Sequence, residues 1–277
     1  MPELPEVETV VRGLSAALAG KRLARLDLAR PDLRSAIPPG LANRLEQRRI
    51  ERFSRRAKYI LMHIEDGGVV IAHLGMSGRM IIVAPDAAVP RAKHDHAVFR
   101  FEDGTELRFN DARRFGMLDY ADATAFPDYE RFRLLGPEPL GNDFNGPALA
   151  VALAGKKTPI KAALLDQQVV AGLGNIYVCE ALHGAGISPK RLAAQVQGER
   201  AERLVTAIRD VLTRAIAAGG SSLRDYVQAS GELGYFQHHW AVYGKEGEPC
   251  PGCDCGKSIK RIVQSGRSTF FCAKRQR

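Results

Sequence analysis

The sequence predicts an α+β protein: an N-terminal helix with a β-sandwich or flattened barrel, then a helical half that ends in a cysteine-bearing tail. Three observations carry this. One helical apolar period at the start is followed by many short β-like runs, punctuated by Gly, Pro and Asp. After a linker rich in Gly and Pro, the pattern turns helical. Four of the five cysteines fall between Cys250 and Cys272.

From Glu6 to Leu18, apolar residues recur at Val7, Val10, Val11, Leu14 and Leu18, one face of an amphipathic helix that Gly20 can end. Strand-like runs follow at Arg22 to Leu28, Ile50 to Phe53, Tyr59 to Ile64, Val69 to His73, Met80 to Val83, Ala97 to Phe101 and Glu106 to Phe109. Glu102 to Thr105 has the composition of a hairpin turn. Gly136 to Asp143 is the linker. Helices are expected at Leu149 to Ala154, Ile160 to Gln167, Asn175 to His183, Glu199 to Ala217 and Ser222 to Gln228, with Thr158-Pro159 and Ser188-Pro189 as helix starts. From about Leu233 the chain is aromatic and basic.

The chain has 277 residues, enough for two domains with their own cores. Forty Lys and Arg against 31 Asp and Glu give a net charge of +9, which suits a polyanion such as nucleic acid. No apolar run reaches 18 residues and the start is acidic, so neither a membrane span nor a signal peptide is expected. The cysteine cluster argues for a metal site in a reducing compartment rather than a disulfide scaffold.

Four places carry chemistry. The first is Met1-Pro2-Glu3-Leu4-Pro5-Glu6-Val7-Glu8. Removal of Met1 would leave a prolyl secondary amine beside a carboxylate. An α-amine titrates near pH 8, so part of it is neutral at pH 7 and can attack a carbonyl-like carbon. For a secondary amine the adduct is a cationic iminium, an electron sink, and Glu3 can move protons beside it. The plainer reading is a helix start, with Pro in the first turn and acids at the positive end of the dipole. The second is Lys58 in Arg55-Arg56-Ala57-Lys58-Tyr59, a lysine entering an apolar strand: either a desolvated acid/base or a charge that snorkels to solvent.

The third is Val170-Ala171-Gly172-Leu173-Gly174-Asn175-Ile176-Tyr177. It departs from the dinucleotide fingerprint, because Tyr177 stands at the third glycine and no strand precedes it. Glycines before a helix leave amides free for a phosphate, so the segment reads as a helix–two-turn–helix DNA clamp or as an ordinary interhelical turn. The fourth is the tail. A finger built on two C-x2-C pairs needs a cysteine three residues after Cys272, and Arg275 stands there. Cys250, Cys253, Cys255 and Cys272 can form a four-thiolate zinc site. A three-thiolate site or a metal-free hairpin competes with it.

These places occur together and in order with His73-Leu74-Gly75-Met76-Ser77-Gly78, His94-Asp95-His96, Asp111-Ala112-Arg113-Arg114-Phe115-Gly116, Gly136-Pro137-Glu138-Pro139-Leu140 and Gln264-Ser265-Gly266-Arg267-Ser268-Thr269-Phe270. Along its whole length the chain resembles bacterial formamidopyrimidine-DNA glycosylase. Endonuclease VIII, the nearest relative, has Gly rather than Leu after the opening Pro-Glu and acts on oxidised pyrimidines. Leu4 and Arg113-Arg114-Phe115 favour the formamidopyrimidine branch.

The resemblance implies a glycosylase and AP lyase acting as a monomer on duplex DNA with oxidised purines (8-oxoguanine, formamidopyrimidines) opposite cytosine. It implies a cytoplasmic, nucleoid-associated enzyme with one structural Zn2+. Pro2 would be the nucleophile, Glu3 the proton shuttle, Lys58 the residue for β-elimination and Arg267 that for δ-elimination. Glu6 and Lys161 would support the flipped nucleotide. Met76, Arg113 and Phe115 would form a wedge that fills the vacated stack, with Arg113 on the orphaned cytosine. The wedge competes with plain core packing for Met76 and Phe115. His94, Arg113, Lys157 and Asn175 would contact DNA, although His94-Asp95-His96 also resembles a metal pair without an obvious third ligand. A loop near Leu223 to Tyr235 would cover the lesion. The implied organisation is a catalytic β-sandwich over 1–135, a linker over 136–147, a helix–two-turn–helix domain over 148–235 and a zinc-finger-like hairpin over 236–277.

Overall fold

The computed structural model describes residues 1–221 and 234–277. The expected helix at Ser222 to Gln228, and the covering loop from Leu223 through position 233, lie outside the described residues. The architecture is α+β, and the chain divides into two compact units. One comprises Met1–Arg133 with Ala218–Gln237, the other Leu134–Ala217 with His238–Arg277. No helix among the described residues is long and apolar enough to cross a membrane.

In the first unit, helix α1 (Leu4–Leu18) begins two residues before the apolar period does. Its start is fixed by Pro5 in the first turn and by a reciprocal capping box between Glu3 and Glu6. Val7, Val10, Val11, Leu14 and Leu18 are buried, as the period predicts. Each such side chain contributes about 1.5–3 kcal/mol when fully buried.

Two four-stranded antiparallel sheets follow. The first sheet holds β1 (Leu23–Leu28), β5 (Arg79–Val83), β6 (Asp95–Phe101) and β7 (Glu106–Asn110), in the order β1-β6-β7-β5. The second sheet holds β2 (Ile50–Arg56), β3 (Tyr59–Ile64), β4 (Val69–His73) and β8 (Met117–Ala121), in the order β2-β3-β4-β8. One core joins α1 to both sheets: Leu14 and Leu18 pack with Phe99, Leu107 and Phe109 of one sheet and Ile60, Met62 and Val70 of the other. The outer face of the second sheet carries Leu61, Val69, Ile71 and Met117, packed against Phe126, Tyr129 and Phe132.

Three short elements carry too little pattern to be predicted: α2 (Leu41–Leu45), β8 and α3 (Glu130–Arg133). Helix α2 enters from Gly40 at φ +74°, a local turn effect rather than a periodic one.

The second unit is helical, with α4 (Gly146–Leu153), α5 (Ile160–Leu165), α6 (Asn175–Gly184) and α7 (Glu199–Ala217). Its tail is a two-stranded hairpin, β9 (Lys260–Gln264) and β10 (Arg267–Phe271). Helix α7 buries Ala201, Leu204, Val205, Ile208, Val211, Leu212 and Ala215, a helical period. Helix α5 stops at Leu165 because Gln167 is spent on the turn: its amide donates to the Leu165 and Leu173 carbonyls and accepts from the Gly172 N–H. The expected helix start at Ser188-Pro189 is corrected. No helix begins there; Arg191 N–H closes a turn on the Ser188 carbonyl, and only a single 3-10 turn follows, at Ala193–Gln195.

Candidate active site and metal centre

Pro2 and Glu3 sit at the foot of α1, both buried. Glu3 is only 3% exposed; its N–H donates to Glu6 Oε2 at 2.8 Å, and its carboxylate accepts from the Glu6 amide. The other Glu6 oxygen accepts from the Ser221 N–H at 2.8 Å. Glu6 therefore ties the residue beside Pro2 to the chain arriving at position 221. With Met1 in place the Pro2 nitrogen is an amide, so nucleophilicity requires removal of Met1. Met1 lines a cavity of about 380 Å3 with Arg34, His73, Gly75, Met76 and Phe115.

Lys58 stands directly before β3, at the expected strand entry. It occupies the two-residue turn between β2 and β3, after Ala57 at φ +51°, and is nevertheless buried. The turn is braced by Arg55, which donates to the Ala57 carbonyl and to Glu8. Near Lys58 lies His73, whose Nδ1 accepts the Gly75 N–H at 2.9 Å. Burial, then the charges of Lys58, Arg34 and Arg131, lower the His73 pKa to about 4, so the ring is neutral at pH 7.

Met76 and Phe115 are 38% and 44% exposed, so the core-packing alternative does not hold for them. The Arg113 guanidinium lies 4.8 Å over the Phe115 ring. His94 is half-buried; its carbonyl accepts the Asp111 N–H, and its ring is 6.0 Å from that of His96. The metal-pair alternative gains no third ligand: among the described residues, the only group arranged to hold an ion is in the tail.

In the second unit, Gly172 (φ +86°) turns the chain into α6, which Asn175 opens. Asn175 Nδ2 donates to the Ser268 carbonyl at 3.0 Å. The same carbonyl accepts from Lys161 Nζ at 3.1 Å, and Lys161 also donates to Thr269 Oγ1 at 2.7 Å. Lys161 is fully buried, and its ammonium group donates to oxygen acceptors on β10. These bonds anchor the hairpin, whose Ser265-Gly266 turn has φ of +49° and +72° and presents an exposed Arg267. Lys157 is exposed. The sequence reading passed over Glu180, whose carboxylate accepts the amides of Ala241, Val242 and Tyr243. Burial raises its pKa, and those three amides oppose the rise. Three consecutive backbone amides more than sixty residues away from Glu180 leave no local sequence signal.

The tail collects its cysteines. The sulfurs of Cys250, Cys253 and Cys272 all lie within 4.8 Å of one another. Cys272 is 3.8 Å from Cys253 and 3.8 Å from Cys255. Tetrahedral zinc with bonds of about 2.3 Å separates its sulfurs by about 3.8 Å, whereas a disulfide holds them at about 2 Å. The donor set thus fits a thiolate metal site. Around it, His183 Nε2 lies 3.4 Å from Cys250 Sγ, and the Arg275 N–H donates to Cys272 Sγ at 3.5 Å. The Arg275 guanidinium donates to the carbonyls of Gly252, His183 and Gly184.

Comparison with known proteins agrees along the whole chain. Residues 1–118 match the formamidopyrimidine-DNA glycosylase N-terminal domain, and residues 135–227 the formamidopyrimidine-DNA glycosylase H2TH domain. Formamidopyrimidine-DNA glycosylases of Acidiphilium cryptum and Rhodospirillum centenum are 57% and 56% identical over 100% of both chains. The Lactococcus lactis Fpg (MutM) in complex with DNA containing N7-benzyl-Fapy-dG superposes with a TM-score of 0.90 at 36% identity, over 99% of each chain. The Thermus thermophilus MutM (Fpg) gives 0.87 at 40% identity, over 99% of this chain and 98% of that one.

Proposed function

Since the chain belongs to the formamidopyrimidine-DNA glycosylase family, we propose that it excises oxidised purines, 8-oxoguanine and formamidopyrimidines, from duplex DNA opposite cytosine and then cleaves the strand as an AP lyase. The observation that carries the proposal is the buried Pro2-Glu3 pair, clamped by Glu6 next to a residue that lines the wedge cavity.

After Met1 is removed, the Pro2 nitrogen attacks C1′ of the extruded nucleotide. The N–C1′ bond forms, the glycosidic bond breaks, and the base leaves as a neutral molecule with a proton supplied through Glu3. Sugar opening gives an iminium. Loss of a C2′ proton, assisted by Lys58, expels the 3′ phosphate; a second elimination, assisted by Arg267, expels the 5′ phosphate. Water releases the sugar remnant and restores the amine. His94, Lys157 and Asn175 hold phosphates, Lys161 supports the lesion site, and Met76, Arg113 and Phe115 fill the stack. The enzyme acts as a cytoplasmic, nucleoid-associated monomer.

A structural Zn2+ is the metal that the thiolate set suits; Cys250, Cys253, Cys255 and Cys272 hold it and close the base of the hairpin. Elemental analysis of unchelated protein is expected to find one zinc per chain, and its absence would refute this assignment.

Borohydride is expected to trap a covalent adduct on an 8-oxoguanine·cytosine duplex, and Pro2→Gly to abolish both trapping and base release. Failure to trap would overturn the nucleophile. Faster excision of thymine glycol than of 8-oxoguanine would overturn the purine preference. Binding of lesion DNA without turnover would leave only a damage-binding protein.

A further inference from the structure

We infer that Asp111 is a positioning residue that locks the Met76 loop and the Arg113–Phe115 loop into a single preassembled wedge, with Ser77 as its bridge. The inference rests on the wedge reading given above.

Asp111 follows directly on β7 and is fully buried. Its Oδ1 accepts from the Ser77 hydroxyl at 2.6 Å and from the Arg113 N–H at 3.3 Å; its Oδ2 accepts from the Gly116 N–H at 2.7 Å. The Ser77 hydroxyl oxygen also accepts the Arg113 N–H, at 3.2 Å. One carboxylate therefore grips the residue after Met76 and both ends of the segment that carries Phe115. Hydrogen bonds to an ionised acceptor are roughly twice as strong as neutral ones. The backbone of Asp111 is fixed in turn, its N–H on the His94 carbonyl and its carbonyl 2.9 Å from the His96 ring nitrogen.

The two loops also interlock through their main chains. Gly75 lies at φ +59°, and a Cβ there would stand 2.3 Å from the Phe115 carbonyl carbon. Arg114 holds φ +57°, a conformation that a non-glycine residue keeps only where its surroundings over-determine it. Above this buried anchor the side chains are exposed: Met76, Phe115 and the stacked Arg113. A carboxylate placed for the fold alone has no need to serve two loops whose large apolar side chains face solvent. Under a wedge it fixes the relative position of the two apolar side chains and the arginine before DNA arrives, and the ordering cost is met during folding.

The test uses the full chain with Ser77→Ala and Asp111→Asn. Substrates are an 8-oxoguanine·cytosine duplex, an 8-oxoguanine·adenine duplex, and a single-stranded oligonucleotide with an abasic site, where no base is flipped. Misplacing a reacting group by about 1 Å costs up to about 100-fold. Duplex kcat/KM is expected to fall about tenfold for Ser77→Ala and about 100-fold for Asp111→Asn, with a narrowed preference for cytosine over adenine. Lyase activity on the single strand stays at the parent level. Equal losses on both kinds of substrate, or no loss on the duplex, would overturn the inference. If Asp111→Asn melts below the assay temperature, Ser77→Ala decides alone. Met76→Ala and Arg113→Ala separate the two claims. If they leave duplex activity intact, the wedge reading falls and the inference with it. If they impair it while Ser77→Ala does not, the inference alone falls.

Discussion

His73 and His63 show how single side chains tie the first unit to pH. Burial lowers both to about 4; the charges of Lys58, Arg34 and Arg131 add to the effect on His73, and that of Arg52 to the effect on His63. An unfolded histidine titrates near 6.5, so between pH 6.5 and 4 the unfolded chain binds protons that the folded one excludes. Stability contributed by the neutral rings is present above pH 6.5 and is lost as pH falls towards 4. Urea midpoints are expected to drop from pH 7 to pH 5, and His73→Asn should flatten that drop; an unchanged slope would contradict it. His73 stood in a motif quoted from the sequence, yet its bond to the Gly75 amide was illegible, because nothing in His-Leu-Gly-Met signals which ring nitrogen faces the backbone. Lys58 shows the converse: its place before an apolar strand and its candidacy for burial were legible, while the tight turn with Ala57 at positive φ was not.

Among the elements, the β9–β10 hairpin depends on α5 and α6 through the Ser268 carbonyl, which Lys161 and Asn175 share. Lys161→Met keeps similar volume and removes an ammonium donor from beneath β10. If Arg267 acts in δ-elimination, its presentation should suffer first. Product gels are expected to shift towards β-elimination ends while base release falls less; an unchanged product ratio would separate Lys161 from the hairpin's chemistry. Helices α1 and α7 were legible because each repeats its period over many residues, and seven strand cores because short β-like runs stand between Gly, Pro and Asp. Helices α2 and α3 were not, since four or five residues make little more than one helical turn, and β8, as long as the legible β4, β5 and β7, has a mixed sequence whose burial does not alternate.

For the whole molecule, the net charge of +9 suits a polyanion, and the number of phosphates contacted sets how binding responds to salt. Each phosphate contact releases condensed counterions, so affinity for duplex DNA should fall linearly in log–log form with salt. Lys157→Ala is expected to reduce the slope by about one and to weaken lesion and undamaged DNA alike. A loss confined to lesion DNA would give Lys157 a different role. Family and fold were readable because they rest on several motifs in fixed order. The tail was only half readable: its cysteine count was plain, but the use of Arg275 on three backbone carbonyls was not.

That arginine has a consequence under oxidation. Peroxide converts thiolates to sulfenic and higher acids and expels the metal they hold, but a guanidinium has nothing to surrender. The chain end is stitched to the end of α6 by Arg275, by Gln276 on the Ile187 carbonyl and by Arg277 on that of Gly186. The cysteine loop can be damaged while these bonds stay in place. Oxidation would then degrade the fastening that depends on a bound metal and leave the one that depends on none.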